Sequence, residues 1–117
     1  SDNYYISKET SDRINEALSS KKNKVYACGT SAVRVIETSV MASGMSKPGT
    51  GWTDKFIYPD YEFKITEGII TNFHRPESTL LMLAAAFGGF EYIKKAYKEA
   101  VAEDYRFFAF GDAMLIQ

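Results

Sequence analysis

Short apolar segments that end in glycine or polar turn residues, each followed by a helical pattern, recur along this chain and restrict its fold. Residues 24–28 are apolar and end at Gly29-Thr30-Ser31, after which apolar residues return at helical spacing over residues 33–40. A strand over residues 69–73 is likewise followed by an apolar helix over residues 79–87. This alternation predicts a layered α/β fold with a largely parallel sheet flanked by helices.

Antiparallel strands are expected to be added to that sheet. Residues 52–58 and 61–65 are rich in aromatic side chains and are separated by turn formers, which predicts a hairpin. Residues 43–50 contain two glycines, a proline and two serines, which favour a mobile surface loop. The remaining patterns predict a surface helix over 7–23 capped by Ser7 or Thr10, a helix over 90–103 and a buried strand over 107–110.

Size and composition favour one domain over residues 1–117, since 45% hydrophobic residues in 117 suffice for a single core. The formal net charge of -1 is not typical of a module that holds nucleic acid by itself, so we expect any RNA contact to be shared. One cysteine excludes an intrachain disulfide and a cysteine-based zinc site. We therefore expect a cytoplasmic protein without a metal, and without a membrane span because no long apolar run is present.

Three polar segments at strand ends are the candidate site, because ligands of open α/β sheets bind beyond the carboxyl ends of the strands. They are Gly29-Thr30-Ser31, residues 71–74 and Gly111-Asp112. His74 is the only histidine and is suited to carry a proton near neutral pH. From the residues alone, His74 can equally cap or pack against the next helix, Asp112 can be a turn residue, and Thr30 can be a simple helix cap.

Other polar residues have plain structural interpretations. Arg34 and Glu37 are three residues apart on one helix face and are expected to form a surface ion pair. Cys28 is expected to be a small buried hydrophobe. The lysines near Lys21 and Lys94 stand among acidic residues, which is typical of solvated helix faces rather than of an RNA-binding surface.

Two long blocks are more specific than any of these patterns: residues 71–83, TNFHRPESTLLML, and residues 105–115, YRFFAFGDAML. Core packing alone does not require such mixtures of polar and apolar residues. Both blocks closely resemble the signature of the S-adenosylmethionine:tRNA ribosyltransferase-isomerase family of queuosine biosynthesis. Arg75 departs from that signature, which usually has leucine there.

The resemblance implies a function that the residues alone do not. Enzymes of this family transfer and isomerise the ribosyl group of S-adenosylmethionine onto 7-aminomethyl-7-deazaguanine in the tRNA anticodon, which gives epoxyqueuosine. They are longer than this chain, so the resemblance implies the C-terminal part of a larger α/β domain, which works with the remaining N-terminal part of the same enzyme. S-adenosylmethionine is then a ribosyl-donor substrate and tRNA is the partner.

The resemblance also assigns expected roles to the three polar segments. Proton removal beside a sulfonium needs a base, which we expect to be His74, and Asp112 is expected to partner the amine or the sulfonium. The expected substrate-binding residues are Thr30, Thr71, Asn72 and Arg106. Two other classes of function remain open. The chain can be a non-catalytic fragment or inactive relative that binds ligand or tRNA, or it can be a small nucleotide-binding α/β domain of unrelated function.

Overall fold

A computed structural model describes residues 2–57, 59–75, 78–108 and 110–117, and helices alternate with short strands through these ranges. In chain order the elements are β1 (Asp2–Ile6), α1 (Lys8–Ser19), β2 (Tyr26–Cys28), α2 (Thr30–Thr38), β3 (Gly49–Thr53), β4 (Gly68–Asn72), α3 (Thr79–Gly88), α4 (Phe90–Ala102) and β5 (Ala113–Ile116). None of the helices within the described ranges is both long and apolar enough to cross a bilayer.

The strands form two small sheets. β4 is the central strand of the larger sheet, in which β2 lies parallel to it and β5 antiparallel. β1 and β3 form a separate antiparallel pair. The predicted α/β class is confirmed, but only the β2–β4 pairing is parallel, so the sheet is mixed. The reason is that a crossover through α2 joins β2 to β4, whereas β5 follows two helices and returns in the opposite direction.

The predicted helices are confirmed, and serine side chains fix two of their starts. Ser7 precedes α1 and its hydroxyl accepts the backbone N–H of Thr10 at 3.1 Å. Ser78 precedes α3 and accepts the N–H of Leu81 at 3.1 Å. Such caps satisfy first-turn donors that have no intrahelical partner, and each contributes about 1 kcal/mol.

The main core lies between the central strand and the two helices α2 and α3. Val33 of α2, Ile69 of β4 and Leu83 of α3 are 0–2% exposed and pack with Ala27 and Ile57. Burying each such large apolar side chain contributes about 1.5–3 kcal/mol. This packing fixes the direction of β4 and therefore the position of the polar residues at its carboxyl end.

Glu37, on the core side of α2, is completely buried and does not pair with Arg34. Its carboxylate accepts five hydrogen bonds at 2.8–3.1 Å, from the backbone N–H groups of Lys64, Ile65 and Thr66 and from the hydroxyls of Tyr61 and Thr66. Arg34 instead reaches Asp2 at 2.6 Å. The predicted surface ion pair is therefore wrong.

The predicted hairpin over 52–58 and 61–65 is also wrong. Trp52 belongs to β3, where it lies opposite Asn3 of β1, a strand that was not predicted. Residues 61–65 form no strand, because the N–H groups of Lys64 and Ile65 donate to Glu37 rather than to a neighbouring strand. Position 58 lies outside the described residues.

The predicted buried strand over 107–110 is replaced by a turn. Phe108 has a φ of 73°, in the left-handed region that a strand does not use, and it accepts the N–H of Gly111 at 2.9 Å. The strand begins only at Ala113, as β5. Position 109 lies outside the described residues.

Two smaller expectations are also corrected. The 43–50 segment is not wholly a surface loop: Ser46 is 1% exposed, and its carbonyl accepts the hydroxyl of Ser11 at 2.8 Å. Gly49 already belongs to β3. Cys28 is exposed rather than buried, because in the short strand β2 the side chain of Ala27 faces the core and its two neighbours face away.

Candidate functional site

The three polar segments meet at one end of the larger sheet. The carboxyl ends of β2 and β4 point the same way, and the N–H of Gly29 donates to the carbonyl of Ile70 at 2.7 Å. At the same end Asn72 lies opposite Ala113, and its side-chain amide donates to the carbonyl of Asp112 at 3.4 Å. Gly29-Thr30-Ser31 and residues 71–74 therefore meet at carboxyl strand ends, as expected for an open α/β sheet, whereas Gly111-Asp112 joins them at the amino end of β5.

His74 and Thr71 form the first group of this site. Thr71 is 4% exposed, and its hydroxyl lies 2.8 Å from Nε2 of His74. The backbone N–H of His74 donates to the hydroxyl of Tyr97 on α4 at 2.9 Å. Burial lowers the pKa of His74 below its ordinary value, so its imidazole is neutral at pH 7.

The hydrogen bond between Thr71 and His74 allows two arrangements of the ring proton. With the proton on Nε2, the ring donates to Thr71 and the lone pair of Nδ1 is open to accept a proton. With the proton on Nδ1, the threonine hydroxyl donates to Nε2 instead. Only the first arrangement leaves the lone pair of a ring nitrogen outside this hydrogen bond.

Arg106 and Asp112 form the second group, because they close the 106–112 loop. Oδ2 of Asp112 accepts the backbone N–H of Arg106 at 2.7 Å, and Oδ1 lies 3.4 Å from its guanidinium. The N–H of Asp112 donates to the carbonyl of Arg106 at 2.8 Å. The backbone N–H and the side chain of Arg106 lower the pKa of Asp112, so this carboxylate is anionic at neutral pH.

Thr30 is the first residue of α2 and is 7% exposed. It follows Gly29, whose φ of 94° lets the chain turn sharply from β2 into the helix. Gly29 has no side chain to cap the first turn of α2. The backbone N–H groups of that turn are the kind of donors that bind anions at helix starts.

The sequence candidates thus fall into two hydrogen-bonded groups, with Thr30 at the adjoining helix start. His74 pairs with Thr71, and Asn72 and Arg106 contact Asp112. Phe73 joins the groups, since its carbonyl accepts the N–H of Phe108 at 3.0 Å. Its ring also packs on that of Phe107, with centroids 5.2 Å apart.

Sequence reasoning missed the role of Tyr97 beside the site and that of Glu37 in the core. Tyr97 lies four residues after the buried Ile93, and a tyrosine on the buried face of a helix needs a partner for its hydroxyl. Glu37 lies four residues after Val33, and an acidic residue on an apolar helix face needs several donors. Both signals were present, but neither identifies the partner.

The two groups coincide with the two long sequence blocks, and comparison with known proteins agrees with them. The model of the family described as queuosine biosynthesis protein matches residues 1–116. The chain belongs to the queuosine biosynthesis protein family. Among curated members it is 52% identical over 116 residues to the S-adenosylmethionine:tRNA ribosyltransferase-isomerase of Cytophaga hutchinsonii. It is likewise 52% identical over 114 residues to that of Natranaerobius thermophilus.

A solved structure of the family has the same fold. The crystal structure of S-adenosylmethionine tRNA ribosyltransferase from Thermotoga maritima superimposes with a TM-score of 0.91 at 47% identity, over 98% of this chain and 40% of that one. The two curated relatives are covered at 97–99% of this chain and 33% of their own length. The chain therefore spans about a third of the length of these curated relatives.

The lowered pKa of His74 predicts how the stability of this member of the queuosine biosynthesis protein family changes with pH. The folded-state pKa lies below the ordinary value of 6.5, so the unfolded state binds the proton first. The free energy of unfolding should fall as the pH drops through 6.5, until the folded state is protonated too. Urea unfolding of the wild type and of His74→Gln at pH 7.5 and 5.5 measures this. His74 is the only histidine, so an equal pH dependence of both proteins would contradict the prediction.

Proposed function

We propose that this chain forms part of an S-adenosylmethionine-dependent tRNA ribosyltransferase-isomerase of queuosine synthesis. The reaction transfers the ribosyl group to the aminomethyl group of 7-aminomethyl-7-deazaguanine in the anticodon, with departure of adenine and methionine and formation of epoxyqueuosine. The observation that supports the proposal is that described residues of both family blocks lie at the same end of the larger sheet, where the imidazole of His74 contacts Thr71 and the carboxylate of Asp112 contacts Arg106.

His74 is the proton carrier in this proposal. Removing a proton beside a sulfonium requires a base that is unprotonated near neutral pH and partly shielded from water. The lowered pKa of His74 meets the first condition and its half-buried position meets the second. Thr71 was expected to bind substrate; because its hydroxyl contacts Nε2 of His74, we assign it the orientation of the imidazole.

Asp112 acts as an electrostatic partner rather than as a base. Its lowered pKa makes it a poor proton acceptor, but it keeps a negative charge available for the sulfonium or the amine. Its side chain is 35% exposed, so a ligand can approach it.

In this proposal Thr30, Asn72 and Arg106 bind the substrate. The guanidinium of Arg106 is 76% exposed and only loosely paired, at 3.4 Å, so it can hold the methionine carboxylate. Asn72 offers a side-chain amide that contacts Asp112, and Thr30 lies at the start of α2 at the same end of the sheet. The substrates require no metal at these residues.

The chain is proposed to work as the C-terminal part of a larger α/β domain, with the N-terminal part of the same cytoplasmic enzyme completing the site and the tRNA contact. The coverage of about one third of the relatives supports this arrangement. So does the formal net charge of -1, because holding an anticodon stem requires basic surface from elsewhere. The alternative, a ligand- or tRNA-binding module without catalysis, differs in predicting binding with no turnover.

The test is ribosyl transfer from S-adenosylmethionine to tRNA that carries the aminomethyl-deazaguanine base, with the enzyme-length protein containing this sequence. We expect release of adenine and methionine in equal amounts with epoxyqueuosine in the tRNA, detected by mass spectrometry of nucleosides. Unmodified tRNA with guanine at the same position is the control. Binding of S-adenosylmethionine or tRNA without adenine release would favour the non-catalytic alternative.

A further inference from the structure

Tyr97 lies outside all three polar segments, on α4, yet it contacts His74 of the first group and Phe107 of the loop that the second group closes. Its hydroxyl accepts the backbone N–H of His74 at 2.9 Å. Its ring stands edge-on to Phe73 at 5.2 Å and to Phe107 of the 106–112 loop at 5.9 Å. The side chain of Tyr97 therefore contacts His74, Phe73 and the 106–112 loop.

These contacts restrict the imidazole in two ways. His74 follows the end of β4, so no strand partner holds its backbone N–H, and that donor goes to Tyr97. The rings of Phe73 and Phe107 stand edge-on to Tyr97 at centroid distances that are favourable for aromatic pairs. These contacts keep its hydroxyl in place. With the backbone held by Tyr97 and Nε2 by Thr71, the ring is fixed at both ends.

We infer that Tyr97 is a positioning residue, whose hydroxyl holds the backbone of His74 so that the imidazole stays on Thr71 beside the 106–112 loop. The purpose of this positioning rests on the proposed function, in which His74 carries a proton. The position of the His74 imidazole is a property of the folded chain, and it can be measured without an enzymatic reaction.

The single histidine makes this measurement direct, because every imidazole signal of the 117-residue chain comes from His74. We propose long-range ¹H–¹⁵N spectra of histidine-labelled protein between pH 5 and 8 for the wild type and Tyr97→Phe. Phenylalanine keeps the ring contacts and removes only the hydroxyl. The matched control is Tyr92→Phe, which changes a 76% exposed tyrosine on the same helix.

The wild type and Tyr92→Phe are expected to show one dominant tautomer that titrates below 6.5. Tyr97→Phe is expected to show a mixture of tautomers and a pKa that moves toward 6.5, because the ring gains access to water. Among the described residues, the hydroxyl of Thr71 contacts the ring of His74 and that of Tyr97 contacts its backbone N–H, and neither hydroxyl is charged near neutral pH. Identical tautomer populations in Tyr97→Phe and Tyr92→Phe would overturn the inference.

Hydrogen exchange keeps the inference testable if Tyr97→Phe does not fold. In the wild type, the His74 amide should exchange at least tenfold more slowly than an unstructured amide, because it donates to a half-buried hydroxyl. Unprotected exchange of that amide would refute the positioning contact. The spectra need no substrate, so a failed transfer assay would count against the proposed function while leaving this inference standing.

Discussion

Replacing Glu37 by leucine is expected to destabilise the chain by about 3 kcal/mol or more, the largest effect we expect from one substitution. Leucine has a similar volume but accepts no hydrogen bond, so the N–H groups of Lys64, Ile65 and Thr66 lose their acceptor. Each unsatisfied buried donor costs about 1–3 kcal/mol. Typical domains are stable by only about 5–15 kcal/mol, so the folded population should fall sharply.

Urea unfolding followed by circular dichroism measures this loss, and Glu62→Leu is the matched control. Glu62 belongs to the 61–66 segment that Glu37 contacts, but it pairs with Lys64 at the surface, where its side chain is 85% exposed. We expect the control to change the free energy of unfolding by less than about 0.5 kcal/mol. Glu37→Gln should lie between the two, since one oxygen still accepts. Equal midpoints for Glu37→Leu and the control would show that the carboxylate does not hold the 61–66 segment.

Replacing His74 by alanine is expected to lower kcat/KM for ribosyl transfer by about 100-fold or more in the enzyme-length protein. General acid–base groups contribute about 10²–10⁴-fold, and His74 is the neutral imidazole of the candidate site. The wild type should lose activity on the acid side with an apparent pKa below 6.5, because only the neutral ring accepts a proton. In His74→Ala, kcat/KM should be low at every pH, and the decrease on the acid side of the pH profile should be absent.

Initial rates of adenine release across pH 5.5–8.5 measure both effects. Circular dichroism and S-adenosylmethionine binding must show that the variant is folded. Lys94→Ala, a change at an exposed position of α4 that belongs to neither group, is the control and should keep its rate within about twofold. A folded His74→Ala enzyme with nearly wild-type turnover would make His74 a structural residue, as its hydrogen bond to Thr71 also allows.

The sequence was sufficient to predict the elements whose stability is local. Apolar periodicity located the helices, and serine caps explain why α1 and α3 begin where they do. The meeting of Gly29-Thr30-Ser31 with residues 71–74 followed from the parallel order of β2 and β4, whereas Gly111-Asp112 reaches the same end of the sheet just before β5 and not after the predicted strand. These features depend on neighbours within a few residues or on the direction of one strand, so they can be deduced without coordinates.

The two wrong strand predictions have a common physical cause, which is that a residue outside the apolar segment took over its hydrogen bonds or bent its backbone. The 61–65 segment is apolar and aromatic like a strand, but Glu37, 27 residues or more before Lys64 and Ile65, accepts its N–H groups. Residues 107–110 also have the composition of a strand, yet Gly111 donates to the carbonyl of Phe108 and Asp112 accepts the N–H of Arg106, which is the geometry of a turn. Local propensity is a weak predictor where long-range partners decide.

The same long-range partners left the roles in the candidate site incomplete. Sequence reasoning identified His74 and Asp112, but it gave no partner for either of them. Tyr97, 23 residues after His74, shows its role only through the contact itself. Whether Thr30, Asn72 and Arg106 bind substrate stays a prediction.

The position of β5 at the edge of the larger sheet also has a consequence for synthesis. The contact between Asn72 and Asp112 joins residues 40 apart, and the two helices α3 and α4 lie between them. Ribosomes add about 5–20 residues per second, so this interval lasts about 2–8 s. For those seconds in every round of translation, β4 has left the ribosome with one edge unpaired. A strand edge in that state can pair with another nascent chain, and slower decoding of residues 73–112 would lengthen the exposure.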